Sequence, residues 1–271
     1  MKIRRKNRGP KTTLTMVNGL RMHARVSEGR TAGGPPVVLV HGLVVAGRYM
    51  VPLLEELARS HTVYAPDLPG FGRSEGPAGV LDVAGLADAL AAWMRAARLI
   101  GAALVGNSMG CQVIAELVLR HPDLVERVVL QGPTMDLRAR SAPRQMWRLL
   151  VDTTREPPSL IAIEGLDLIR AGVVRSWKTF RYALDDPIEE RLPKVRVPAL
   201  IVHGSRDRIS PRHWAEEVAR LLPDGRLVFL PGTPHAANYS APAEFARAIR
   251  TFLAGGQVAG SGCRGGLHHS G

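Results

Sequence analysis

The stretch GNSMG, residues 106–110, decides how the rest of this chain is interpreted. It follows the apolar run AALV (102–105) and precedes CQVIAELVLR (111–120), whose apolar residues have helical spacing. A turn from strand to helix is tight here, so the positions two before and two after the serine have room only for glycine. The pattern predicts that Ser108 is a nucleophile, held in a strained conformation with its hydroxyl above the end of a strand.

Short apolar runs alternate with helix-spaced segments on both sides of this turn. Runs that are apolar throughout and separated by helices are typical of a mostly parallel sheet covered on both faces. The sequence therefore predicts an α/β fold with a doubly wound sheet. Near the start, Asn18-Gly19 predicts a tight hairpin between two antiparallel strands. The runs that we interpret as sheet strands include PPVVLVHG (35–42), VERVVLQG (125–132), PALIVHGS (198–205) and RLVFLPG (226–232).

The same pattern divides the chain into parts. Residues 12–132 and 197–254 carry the strand signals and predict the core. Residues 133–196 carry helix-like segments without strand signals, which predicts a helical cap inserted at the edge of the sheet where ligands bind. Residues 1–11 form a basic N-terminal tail, and residues 255–271 are rich in glycine and predict a flexible C-terminal tail.

Composition and charge limit the partners that the protein can have. The chain of 271 residues carries 36 Lys and Arg against 24 Asp and Glu, a formal charge of +12. The basic residues are dispersed apart from the N-terminal tail, and no nucleic-acid-binding motif accompanies them. No apolar run is long enough to span a membrane, and no signal peptide is recognisable. We expect a cytoplasmic protein that acts on a small molecule; the oligomeric state is left open.

A serine nucleophile needs a base and an acid that orients the base. His235, in LPGTPHAANYSAP (230–242), follows the last predicted strand and is the candidate base. The candidate acid is Asp207, just after the strand that ends at Gly204, and Asp136 is the alternative. The other histidines after Ser108 lie at a helix end, at a strand end, in a helix or in the tail: His121, His203, His213, His268 and His269.

An oxyanion on the substrate would need two backbone N–H donors. The amide of Met109 begins the helix after Ser108, where partial positive charge accumulates. Leu43, in HGLVVAG (41–47), is expected to supply the second amide, with Val44 as the alternative donor and with His41 and Gly42 positioning that loop. Further residues expected to contact substrate are Val44, Asn107, Trp147 and Val173.

Five motifs occur in an order that resembles the α/β-hydrolase superfamily with a helical cap. They are HGL (41–43), DLPGFGRS (67–74), GNSMG (106–110), HGSRD (203–207) and GTPH (232–235), and the resemblance covers residues 12–253. It implies a Ser-His-Asp hydrolase, in which Ser108, His235 and Asp207 act without a metal or organic cofactor.

GNSMG is also similar to the turn in hydrolases that cleave carbon–carbon bonds of aromatic ring-fission products. Two departures make us expect an ester or lactone substrate instead: HGLVVAG replaces a glycine-rich loop, and Ala236 rather than Trp follows His235. Carbon–carbon cleavage stays open as an alternative if a cap arginine holds an anionic substrate, as do perhydrolase or haloperoxidase-like activity and a ligand receptor that retains the fold. The arginines available for such a contact are Arg144, Arg148, Arg175 and Arg181. For the hydrolase, kcat/KM is expected to rise through one ionisation in the neutral range.

Overall fold

A computed structural model describes residues 9–29 and 34–256 of the chain. Most of the expected N-terminal tail and nearly all of the expected C-terminal tail lie outside the described residues. An eight-stranded sheet has the order β1-β2-β4-β3-β5-β6-β7-β8. Its strands are β1 (Lys11–Val17), β2 (Leu20–Ser27), β3 (Val37–Val40), β4 (Val63–Pro66), β5 (Ala102–Asn107), β6 (Val125–Gln131), β7 (Ala199–Gly204) and β8 (Gly225–Leu230).

The sheet is mostly parallel, which confirms the predicted fold class. Strands β4, β3, β5, β6, β7 and β8 pair in parallel, whereas β1 pairs with β2 and β2 with β4 in antiparallel fashion. Asn18 and Gly19 join β1 to β2 with φ angles of 50° and 79°. Two consecutive residues in the left-handed region are what a tight hairpin turn requires, so the predicted hairpin is confirmed.

Helices cover both faces of the sheet. They are α1 (Val51–Leu57), α2 (Val83–Ala96), α3 (Met109–Arg120), α4 (Ala142–Thr153), α5 (Pro158–Ala171), α6 (Val173–Asp185), α7 (Ile188–Arg191), α8 (Arg212–Leu221), α9 (Ala237–Ser240) and α10 (Pro242–Leu253). Successive residues of a strand point to opposite faces. Val38 and Val40 accordingly belong to the core layer that contains residues of α2, α3 and α8, while Val37 and Leu39 belong to the layer that contains residues of α1 and α10. Within the described residues, no helix is both long and apolar enough to cross a membrane.

Four helices, α4 to α7, follow β6 and precede β7; we call them the inserted helices. Polar contacts attach them to the rest of the molecule. The amide of Gln112 on α3 donates to the carbonyl oxygen of Ala183 at 2.8 Å and to Asp186 at 3.0 Å. On the other side, Arg48 pairs with the buried Asp167 of α5 at 3.0 Å. The inserted helices therefore contact the sheet-covering helices and the loop after β3.

The motif DLPGFGRS begins with a buried carboxylate that fixes the neighbouring loops. Asp67 accepts hydrogen bonds from the backbone N–H of Gly47 at 2.7 Å and of Arg73 at 2.9 Å. Its oxygens also contact His23 and the guanidinium of Arg25. Burial alone would raise the pKa of Asp67, but the bond to His23 and the charge of Arg25 outweigh it and lower the pKa to about 2. Asp67 thus anchors the end of the loop that follows β3.

Candidate active site

Ser108 occupies the turn between β5 and α3 in a conformation that side chains rarely adopt. Its φ is 56° and its ψ is −122°. A Cβ on Gly106 would lie 2.8 Å from the carbonyl carbon of Gly110, and a Cβ on Gly110 would collide with the carbonyl oxygen of Val40. The tight turn predicted from the two glycines is therefore present. Strain of this kind persists only where the surroundings enforce it, and it is concentrated at functional sites.

His235 lies in the loop between β8 and α9, and it contacts Asp207. The Nδ1 atom of His235 is 2.8 Å from Oδ2 of Asp207. The other oxygen of Asp207 accepts the backbone N–H groups of Ile209 at 2.9 Å and Ser210 at 2.8 Å, which fixes the carboxylate. Nε2 of His235 is buried and has no hydrogen-bond partner among the described residues. His235 and Ser108 line the same cavity.

The histidine and the acid come together because Gly132 has no side chain. This glycine follows β6 with a φ of 54°. A Cβ there would lie 2.8 Å from Cε1 of His235 and 2.9 Å from Oδ2 of Asp207. Gly132 was not predicted from the sequence as a site residue, although its position at a strand end beside Gln131 was visible.

The alternative acid, Asp136, has other partners. It lies 2.9 Å from the guanidinium of Arg148 and 3.3 Å from Nε2 of His213, and it caps a turn at Arg138. Asp136 follows β6 and Asp207 follows β7, and both strands end at the same edge of the sheet. Of these two acids, only Asp207 contacts His235.

Electrostatics around His235 favour its protonated form. Burial lowers the pKa of His235, but the nearby charge and hydrogen bond of Asp207, together with the charges of Asp152 and Glu156, raise it to about 9. The ionisation expected from the sequence was in the neutral range. The difference arises mainly from the charge and hydrogen bond of Asp207, and the charges of Asp152 and Glu156, which were not visible as neighbours in the sequence, add to it.

The loop after β3 lies directly against the serine turn. A Cβ on Gly42 would lie 3.1 Å from Cβ of Ser108, so a larger residue there would have to push the serine turn away by a few tenths of an ångström. His41 is buried; its Nδ1 contacts the carbonyl oxygen of Gly42 at 2.8 Å, and its Nε2 accepts the N–H of Leu68 at 2.9 Å. His41 thus joins this loop to the neighbouring one, in agreement with a positioning role. Burial lowers the pKa of His41, which favours the neutral ring.

The two amides expected to bind an oxyanion both lie at this junction. Leu43 and Met109 line the cavity beside Ser108. Outside regular helix and strand bonds, neither amide donates to another residue in the described part of the chain. Val44, also on the cavity wall, has a φ of 68°, which is strained for a β-branched residue. The loop is therefore held in one specific conformation next to the serine.

Asn107 lines the cavity but uses its amide inside the protein. The hydroxyl of Tyr49 donates to Oδ1 of Asn107 at 3.2 Å, and Nδ2 of Asn107 donates to Gln131. Gln131 in turn donates to the carbonyl oxygen of His235 at 2.6 Å. These contacts connect the serine turn to the backbone of the histidine. Gln131 and Tyr49 were not identified from the sequence.

The cavity has a volume of about 460 Å³ and lies between the serine turn and the inserted helices. Much of its wall is apolar, and it includes Val44 and Val173 as expected. Trp147 was expected to line it, and this is wrong: its side chain is 66% exposed and borders a separate surface groove. Helix geometry explains the error, because Met146 and Leu149 occupy the cavity face of α4 and Trp147 points away from it. Trp177 of α6 is the tryptophan that lines the cavity.

Three carboxylates that were not predicted from the sequence also line the cavity: Asp152, Glu156 and Glu164. Asp152 is 2% exposed and Glu156 is 8% exposed. Burial raises the pKa of all three, and that of Glu156 reaches about 7. Asp152, three residues after Leu149 on α4, could have been assigned to the helix face that also carries Met146 and Leu149, whereas Glu156 lies beyond the end of α4 at Thr153.

The four arginines considered for an anionic substrate all point elsewhere. Arg148 pairs with Asp136, and Arg144 donates to the carbonyl oxygen of Arg138. Arg175 approaches backbone carbonyl oxygens of the loop near Pro77. Arg181 lies near Asp185. Among the residues that the structure describes, neither lysine nor arginine lines the cavity. The wall therefore carries acidic groups without a compensating basic side chain other than His235.

Comparisons with known proteins agree with this geometry. The family model of the alpha/beta hydrolase family matches residues 37–248. The chain is 29% identical over 255 residues to pyrrolizixenacetamide deacetylase of Xenorhabdus hominickii, covering 85% of this chain and 95% of that protein. It is 30% identical over 246 residues to a pimeloyl-[acyl-carrier protein] methyl ester esterase of Neisseria meningitidis, covering 81% of this chain and 93% of that protein. It is 28% identical over 257 residues to 2-hydroxymuconate semialdehyde hydrolase of a Pseudomonas species, covering 83% of this chain and 88% of that protein.

This chain belongs to the alpha/beta hydrolase family and is a hydrolase. The names of the three relatives refer to a deacetylation, the cleavage of a methyl ester and the hydrolysis of a semialdehyde. Membership therefore does not identify the substrate, which has to be inferred from the cavity of this chain.

Proposed function

We propose that this α/β hydrolase cleaves a carboxylic ester or lactone through an acyl-enzyme formed on Ser108. Oγ of Ser108 attacks the carbonyl carbon while Nε2 of His235 takes the hydroxyl proton. As the bond between carbonyl carbon and leaving oxygen breaks, His235 returns that proton to the leaving alcohol. A water molecule then attacks the acyl carbon while His235 takes its proton, and His235 returns that proton to Oγ of Ser108 as the bond to the serine breaks and the acid is released.

The contact between His235 and Asp207 carries this proposal. With Nδ1 bound to Asp207 at 2.8 Å, the imidazole has its Nε2 free, buried and on the cavity that Ser108 lines. Asp207 would hold the imidazole in the orientation needed and stabilise its charged form.

The amides of Leu43 and Met109 would bind the negative oxygen of the tetrahedral intermediate. Met109 is the first residue of α3, so its N–H has no acceptor within the helix. Donors fixed by the backbone need no rearrangement when charge develops on the oxygen. We further infer that the inserted helices act as a cap that closes the cavity over the substrate.

An uncharged acyl group fits this cavity better than an anionic one. A carboxylate on the substrate would face Asp152, Glu156 and Glu164 without a lysine or arginine on the wall. An unpaired buried charge is costly, and like charges add to that cost. The cavity therefore supports an ester or lactone over an anionic ring-fission product.

Carbon–carbon cleavage is the second candidate, favoured by the Asn107-Ser108-Met109 turn and by the similarity to 2-hydroxymuconate semialdehyde hydrolase. The two reactions can be separated by measuring kcat/KM for a neutral aryl ester, a neutral lactone and a 2-hydroxy-6-oxo dienoate. We expect the ester or lactone to be preferred. A dienoate that wins by more than about a hundredfold, roughly 2.7 kcal/mol in transition-state stabilisation, would establish carbon–carbon cleavage instead.

The nucleophile is tested by labelling with a fluorophosphonate followed by peptide mass spectrometry. One adduct is expected on Ser108, and Ser108→Ala should abolish both labelling and turnover. Ser159→Ala, a change at an exposed serine, is the matched control and should keep both. Labelling elsewhere, or full activity of Ser108→Ala, would refute the proposal. Single labelling without multiple turnover on the substrate panel would favour a receptor that has retained the fold.

A further inference from the structure

We infer that Asp152, Glu156 and Glu164 form a subsite for a protonated amine carried by the leaving group of the substrate. The inference rests on the proposed ester hydrolysis and specifies its substrate class: esters of amino alcohols, which water converts into a carboxylic acid and the free amino alcohol. We call the three residues the acidic subsite.

Glu156 supplies the most specific observation. Its Oε1 accepts the backbone N–H of Ala236 at 2.8 Å, which fixes the side chain. Its Oε2 is buried and has no hydrogen-bond partner among the described residues, although the side chain lines the cavity and is only 8% exposed. A buried carboxylate oxygen without a donor is costly, so a donor on the ligand would be strongly favoured there.

The two neighbouring carboxylates make the same site negative. Asp152 lies four residues before Glu156 and accepts the backbone N–H of Arg208 at 3.1 Å, while Glu164 approaches from α5 and is half-buried. The charge of Asp152 raises the pKa of both Glu156 and Glu164, so the groups interact. No lysine or arginine on the described wall compensates them. A cation on the ligand would compensate the negative charge of these carboxylates.

The rest of the wall suits an alkylated amine. Trp177 and Phe180 both line the cavity, with ring centroids 5.5 Å apart. Aromatic faces attract cations and also bury methyl or methylene groups. An amine with small alkyl substituents would therefore satisfy the carboxylates and the aromatic wall together.

The position of His235 assigns the amine to the leaving group. Glu156 binds the N–H of Ala236, the residue next to His235, so the acidic subsite adjoins the imidazole. His235 has to deliver a proton to the leaving oxygen, which must therefore lie within hydrogen-bond reach of Nε2. The chain attached to that oxygen then extends towards the acidic subsite, whereas the acyl group occupies the side next to Leu43 and Met109.

Two butyrate esters of the same shape test the inference. In 2-(dimethylamino)ethyl butyrate the leaving group carries a protonated amine, and in 3-methylbutyl butyrate a CH group replaces the NH. The quantity measured is the ratio of their kcat/KM values near pH 7.5. We expect at least a tenfold preference for the amine, which should fall severalfold in Glu156→Gln, Asp152→Asn and Glu164→Gln.

The ratio separates binding of the amine from effects on the triad. A change in the pKa of His235 alters turnover of both esters alike, and so does a difference in the amount of folded enzyme. Any intrinsic difference in ester reactivity is the same for every variant. Glu190→Gln is the matched control, because it removes one exposed carboxylate of α7 that does not line the cavity, and it should leave the ratio unchanged.

A second measurement does not depend on turnover. Ser108→Ala should bind the amine ester at least tenfold more tightly than its isostere in calorimetry. Equal kcat/KM values and equal affinities would overturn the inference while leaving the proposed ester hydrolysis intact. A preference for the amine ester that is unchanged in Glu156→Gln and Glu164→Gln would also overturn the inference. If neither ester is cleaved and Ser108 is not labelled, the proposed function fails first.

Discussion

The raised pKa of His235 predicts an alkaline pH optimum for a neutral ester. With a pKa of about 9, roughly one enzyme molecule in a hundred has a neutral imidazole at pH 7, and about half do at pH 9. Only the neutral form can take the proton of Ser108. kcat/KM, which reports the free enzyme, should therefore rise roughly fiftyfold between pH 7 and pH 9 and level off above pH 10.

The perturbation that tests this reasoning is Asp152→Asn. The charge of Asp152 contributes to the raised pKa of His235, so its removal should lower that pKa and increase the neutral fraction. We expect kcat/KM for the neutral ester to increase roughly three- to tenfold at pH 7, with little change on the plateau above pH 10. A substitution in a substrate cavity would thus make the enzyme faster near neutrality.

The assay is a pH profile of kcat/KM from pH 6 to pH 10.5, normalised to active sites titrated with a fluorophosphonate. Glu190→Gln serves as the control and should reproduce the wild-type curve, since it changes the net charge by the same amount outside the cavity. An acid limb centred near pH 6.5 in the wild type, or one that Asp152→Asn fails to move, would refute the electrostatic reasoning.

Three further predictions concern individual side chains. Asp207→Asn should lower kcat by about 10⁴-fold, because the asparagine amide can donate to Nδ1, which places the ring proton on Nε2, and because it carries no charge to stabilise the imidazolium. Asp136→Asn should change kcat per titrated site less than threefold, and the opposite result would make Asp136 the acid. Trp177→Ala should lower kcat/KM at least tenfold, while Trp147→Ala, outside the cavity, should stay within twofold, as steady-state kinetics will show. Gly110→Ala should reduce the free energy of unfolding in urea by roughly 3 kcal/mol, because its Cβ would collide with the backbone; an unchanged unfolding midpoint would contradict the steric argument.

The sequence alone determined those features that depend on local sterics and on chain order. Gly106 and Gly110 frame Ser108 because no Cβ fits at either position, and this constraint can be read from five residues. The apolar strands alternate with helices, which fixes a parallel sheet and brings the strand ends to one edge. That edge is where His235 and Asp207 were expected, and the structure places them 2.8 Å apart.

The tertiary structure decided which side chains face one another across the cavity. Both Trp147 and Trp177 lie in amphipathic segments, and a rotation of about 100° per residue around a helix separates a cavity wall from an exposed surface. The sequence does not specify how α4 and α6 are rotated against the core, because either face could have been buried by a different packing partner.

The acidic subsite depends on the tertiary structure for the same reason. Asp152 on α4, Glu156 in the turn after α4 and Glu164 on α5 would be ordinary solvated charges if these segments were isolated in water. Only the packing of the inserted helices over Ser108 buries them beside His235. Their effect on the pKa of His235 is long-range electrostatics through a poorly hydrated interior, which depends on distance in space and not on separation along the chain.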